Sequence, residues 1–147
     1  VLKMGLTIRV KSSKATARPI DMGGGGFLRL RSRVAMLYGE PWASHYELLM
    51  EHPGISSDDS FFDDFNKKTE QLIREKKVSI KIVDFCLQSD IEGSIHYGAC
   101  KEILKTIGDY DDNVCYGYAG LPSCAKFRDF KAILEDCVRL KCDMVWD

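Results

Sequence analysis

Apolar residues recur at helical spacing along much of this chain. Ile80, Val83 and Leu87 share one face, and Cys100, Ile103, Leu104 and Ile107 repeat the pattern. Gly108 is placed to end the second of these helices. Phe130–Leu134 and His45–Met50 predict two more helices, the latter broken by Pro53-Gly54. Phe27–Leu30 and Val34–Tyr38 predict another, ending at Gly39 before Pro41. Phe61, Phe62, Phe65, Leu72 and Ile73 carry an apolar face into Glu70–Lys77. That helix either runs on into Ile80–Leu87 or bends at Lys76-Lys77. Leu6–Val10 fits a helix or, being largely β-branched, a strand, and Val78–Val83 also alternates like a strand.

The stretch Gln88–Ala99 joins two of these helices through a glycine turn. With Gly93 at the sixth position it aligns with the twelve-residue calcium loop of an EF-hand. Asp90 and Glu92 then occupy positions 3 and 5, Ser94 position 7 and Ile95 the strand-pairing position 8. Gln88 stands where the first carboxylate belongs, and Ala99 where a bidentate glutamate belongs. Calcium takes six to eight oxygens, so these losses remove useful affinity.

Hands come in pairs. Tyr118–Asp129 fits a second loop, before a helix starting at Phe130, without carboxylates at positions 1, 3 and 5. Ser60–Phe65 fits the end of a loop upstream, with Asp64 at position 12. The first hand needs an overlong loop from Ser12 to Gly26, entered from Leu6–Val10.

On these motifs, chiefly Gly93-x-Ile95 followed by Cys100-x-x-Ile103-Leu104-x-x-Ile107-Gly108, the chain resembles the calmodulin superfamily, and within it a divergent myosin light chain. The resemblance implies a mainly α fold: an N-terminal lobe over 1–66, a helical linker over 67–79 and a C-terminal lobe over 80–147. The alternative is a compact α+β domain with strands at Leu6–Val10 and Val78–Val83.

Composition fits a folded domain: 147 residues, 45% apolar, 29% charged, formal net charge −1. No basic cluster interleaved with aromatics points to nucleic acid, and no apolar run is long enough for membrane insertion. The six cysteines form no Cys-x-x-Cys pair and stand near no histidine at zinc spacing, so free thiols are expected. Gly23–Gly26 lacks the Gly-Lys-Ser/Thr ending of a phosphate loop and reads as a flexible connection. Asp109–Asn113 reads as a solvated acidic connection rather than a cation site. No nucleophile–base pair emerges from spacing.

The resemblance therefore implies no enzyme, no cofactor and no metal. It implies a cytoplasmic, cytoskeletal subunit that clamps an amphipathic, IQ-type helix of a myosin heavy chain without calcium. A calcium sensor of the same fold and an unrelated α+β viral or assembly subunit are the alternatives. The expected partner-binding residues of the first lobe are Val34, Leu37, Leu48, Met50, Phe62 and Phe65. Those of the second are Leu87, Ile103, Leu104, Ile107, Phe130, Ile133 and Leu134. Most of these residue types serve equally as core.

Overall fold

The computed structural model describes residues 5–52 and 60–147. Ten elements follow one another: β1 (Leu6–Val10), β2 (Ile20–Met22), α1 (Gly24–Tyr38), α2 (Trp42–Glu51), α3 (Ser60–Arg74), α4 (Ile80–Leu87), β3 (Gly93–Ile95), α5 (Tyr97–Ile107), α6 (Phe127–Leu140) and β4 (Met144–Trp146). The strands form one antiparallel sheet in the order β2-β1-β4-β3. This is an α+β fold, and it overturns the expectation of two lobes of paired EF-hands. β1 pairs with β4 from the far end of the chain, Ile8 opposite Trp146. One hydrophobic cluster runs from Leu6 to Trp146, across both expected lobes.

Alternation explains the sheet's two faces. Leu6, Ile8 and Val10 point inward from β1, while Thr7 and Arg9 lie on the other side. Met144 and Trp146 do the same from β4. Helices cover the inner face: α1 lies against β2, α6 against β1 and β4, and α4 against β3. Phe85 links the layers. Its ring stacks on Phe130 at 5.7 Å and meets the edges of Phe27 and Trp146, both at 6.2 Å. Each such fully buried aromatic contributes about 2–3 kcal/mol of transfer free energy.

The ambiguous segments resolve through local hydrogen bonds. Leu6–Val10 is a strand because its alternation is satisfied by β2 on one side and β4 on the other. Val78–Val83 is not a strand. Ser79 caps α4, its Oγ accepting the Lys81 N–H at 3.2 Å. No continuous helix joins α3 to α4, because α3 ends at Arg74 and Lys76 takes a positive φ of 57°. The expected overlong loop from Ser12 to Gly26 contains β2 and the first turn of α1. The break at Pro53-Gly54, and most of the loop placed before Phe65, lie outside the described residues.

The Asp136 carboxylate of α6 fastens the β1–β2 connection. It accepts the backbone N–H groups of Thr16 and Ala17 at 2.7 and 2.9 Å, and Arg139 pairs with its other oxygen. The Ala17 N–H does most to hold this carboxyl well below its ordinary pKa. Burial opposes it, and Arg139 and Thr16 add to the lowering.

Candidate docking site

The stretch that carries the EF-hand motif is built for the sheet. Gly93 is an extended strand residue opposite Trp146, and a Cβ there would collide with the indole ring. Glycine at this position makes room for Trp146 instead of turning a calcium loop. Gln88 directs both ends of its carboxamide at Ser94: Oε1 accepts the Ser94 N–H at 3.1 Å, and Nε2 donates to the Ser94 carbonyl at 2.7 Å. Asp90 lies beside Gly24, at the positively polarised start of α1. Ala99 is buried in α5. The four positions thus serve packing, edge closure and helix-end electrostatics. Ile95 does pair with another strand, but its partner is Met144 of β4.

Beneath this turn lies a buried cation. Arg31 is 5% exposed and rests 3.9 Å from the centroid of the Phe27 ring. Its guanidinium donates to the carbonyls of Cys86, Gln88 and Ser89, at and just beyond the end of α4. Burial lowers its pKa, and nearby acidic groups partly offset that. Trp146 Nε1 donates to the same Ser89 carbonyl at 2.9 Å. This assembly is structural and presents nothing to a ligand.

The residues expected to bind a partner separate by depth. Val34, Phe65, Ile103, Ile107, Phe130, Ile133 and Leu134 are buried in the single domain. Leu37, Leu87 and Leu104 are partly buried against the core. Leu48, Met50 and Phe62 remain at the surface. The fold does not gather them into two grooves.

A different group does converge. Met36 of α1, Met50 of α2 and Val114 of the α5–α6 connection border a groove of about 310 Å³, completed by Arg29, Ser32, Arg33 and Tyr116. Met36 is 51% exposed, and Met50 and Val114 are each 37% exposed. Arg29 and Arg33 stand four residues apart, on one side of α1. Arg29 forms no ion pair among the described residues; its Nη2 reaches the Cys115 carbonyl at 3.4 Å. Arg33 lies 5.5 Å from the Tyr110 ring centroid and donates to the Met36 sulfur.

The wall carrying Val114 and Tyr116 is organised by Asp112. Oδ2 accepts the hydroxyls of Tyr110 and Tyr116, each at 2.7 Å, and Oδ1 accepts the Val114 N–H at 3.0 Å. Burial pushes the Asp112 carboxyl up, but these donors and the Arg33 charge outweigh it and leave the pKa lowered. Burial and the bond to Asp112 push Tyr116 up to about 12. Asp111 pairs with Arg128. The acidic run is therefore a folded, internally bonded connection.

A disulfide joins Cys115 to Cys124, whose Cα atoms are 5.9 Å apart, within the ordinary range. The expectation of six free thiols is corrected at these two. Cys86, Cys100, Cys137 and Cys142 are free, the first three buried. Burial drives the Cys86 thiol up to about 12, which leaves it a poor nucleophile near neutral pH. Among the described residues no cluster of His, Cys, Asp and Glu is arranged to hold a metal ion. No helix among them is long and apolar enough to cross a membrane.

Sequence reasoning missed Arg29, Arg33, Met36 and Val114. The two arginines at i and i+4 beside Met36 carried a readable signal. Val114 carried none, since only the α5–α6 connection brings it to α1. No family model, curated protein or solved structure matches this chain.

Proposed function

We propose that this chain is a protein-docking module that receives an acidic, apolar-anchored segment of a larger protein in the groove between α1, α2 and the α5–α6 connection. The observation that carries this reading is the set of exposed Met36, Met50 and Val114 beside two arginines. Methionine side chains are flexible and polarisable, so they suit a surface that moulds itself to an incoming apolar group. Arginine is enriched at interface hot spots and pairs with carboxylates in a two-pronged geometry. Asp112 offsets part of the Arg33 charge, while Arg29 lacks a carboxylate partner among the described residues. The groove therefore favours a partner that brings carboxylates together with one or two apolar side chains.

This reading keeps the idea of a binding subunit and changes its partner. A light-chain clamp on a basic IQ-type helix depended on paired-hand grooves, which the α+β fold lacks. A basic helix would also place like charges against Arg29 and Arg33. Binding is the reading supported by what the groove presents, which is cations and thioethers.

The test uses the full chain and a labelled amphipathic peptide with glutamate and leucine at helical spacing. The acidic peptide is expected to bind, and a lysine-for-glutamate version is not. Arg29→Glu with Arg33→Glu is expected to reverse that preference, and Met36→Glu to weaken binding of the acidic peptide. Equal binding of both peptides, or no effect of the arginine pair, would overturn the reading.

A further inference from the structure

The Cys115–Cys124 disulfide lies in the wall of the proposed groove, and we propose that it acts as a redox gate on docking. The inference rests on the docking reading above. Cys115 stands between Val114 and Tyr116, the two wall residues, and its carbonyl receives Arg29 from the opposite side. Breaking the disulfide therefore acts on both the apolar and the cationic parts of the groove.

The wall has two anchors of different kinds. Up to Val114 it is held by Asp112 and by Lys126, whose Nζ donates to the Asn113 carbonyl at 3.0 Å. Beyond Val114 it is held by the disulfide, by the buried Tyr116, whose hydroxyl also reaches Asp112, and by Ala125, whose carbonyl accepts the N–H groups of Tyr116 and Gly117 at 2.8 and 3.3 Å. Residues 118–123 between these ties are all exposed, with Arg18 donating to the Ser123 carbonyl at 3.2 Å. Reduction removes the one covalent tie and leaves the Asp112 cluster in place. The expected result is a loosened wall on an otherwise intact fold.

The disulfide is open to chemistry that the buried thiols are not. Cys115 and Cys124 are only partly buried, whereas Cys86, Cys100 and Cys137 are enclosed in the core. A dithiol reductant attacks one sulfur as the thiolate and displaces the other as a leaving thiolate. Its second thiol then resolves the mixed disulfide. One S–S bond breaks in the protein and one forms in the reductant. Two electrons and two protons pass to Cys115 and Cys124, which become thiols.

The experiment compares the oxidised full chain with the chain reduced by dithiothreitol, using the labelled acidic peptide and backbone amide exchange. Reduction is expected to raise Kd by about fivefold or more, because an ordered wall no longer preorganises the groove. Amide exchange at Val114–Gly117 is expected to accelerate while the circular dichroism stays the same. Cys115→Ser with Cys124→Ser is expected to bind weakly with or without reductant. Equal affinity in both redox forms, or unchanged exchange over Val114–Gly117, would overturn the gate and leave the docking reading standing. Loss of helical signal on reduction would also overturn it, since the effect would then be unfolding. Absence of peptide binding in either form would overturn the docking reading, and the gate with it.

Discussion

The side-chain amide of Gln88 pairs with the backbone of Ser94 as a neighbouring strand would, satisfying both its N–H and its carbonyl. β3 is an edge strand with β4 on its other side. Unpaired edge groups are templates for association with other chains, and folded proteins cover them. Gln88→Ala should therefore cost about 1 kcal/mol in urea unfolding and promote self-association on size exclusion as concentration rises. A variant that stays monomeric with unchanged stability would show that the edge needs no cover.

Arg31 holds the turn after α4 to the core through three carbonyls. Arg31→Met keeps much of the length and apolar contact but leaves those buried acceptors without their donor. The expected loss is about 3 kcal/mol by denaturant unfolding. Arg31→Lys should recover only part of it, since an ammonium lacks the planar fork that spans separate acceptors.

Asp136 provides a pH signature. Its folded pKa lies below the unfolded one, so its stabilisation is fully present above the unfolded carboxylate value of about 3.9 and is lost as pH falls through the folded value. Asp136→Asn should lower Tm at neutral pH. The gap to the parent chain should narrow as the pH is taken below about 4. Melting curves across that range test it, and a constant gap would rule out an ionised Asp136 as the latch on Thr16 and Ala17.

Gly26 lies where α1 passes the groove wall. A Cβ there would fall within contact distance of the Tyr116 carbonyl oxygen, a backbone atom that cannot swing away. Gly26→Ala should destabilise the fold by about 1–3 kcal/mol despite alanine's better helix propensity. Gly25 has open space around it, so Gly25→Ala should be neutral or stabilising. The pair separates packing from propensity in one thermal-melt experiment.

Sequence periodicity carried the helices well. α5 ends at Gly108 and α1 at Gly39, where the glycines indicated, because helix ends are set by local chemistry. Of the sheet, the alternation of Leu6–Val10 was legible, and the other strands were not, for the opposite reason. β2, β3 and β4 are three residues each, too short to show a period of two, and β4 meets β1 and β3 only through pairings distant in sequence. The order helix, turn, short strand, helix occurs here in α4–β3–α5, and it is what an EF-hand shares with this fold. Nothing local distinguishes a strand that pairs with a second hand from one that pairs with Met144–Trp146. The groove was half legible, in Arg29, Arg33 and Met36 on α1, and half hidden in a connection with no repeat.

The position of β4 governs the order in which the molecule can be assembled. It lies between β1 and β3 yet follows every other element in the chain. Of the described elements the β1–β2 hairpin is made first, and its inner edge waits for the last of them. Until Met144–Trp146 arrives, Ile8 and Ile95 have no common neighbour, and the helices have only fragments of a sheet to pack on. β4 is therefore the closing strand of the sheet: it joins the β1–β2 hairpin to β3 across a gap that the other described elements leave open.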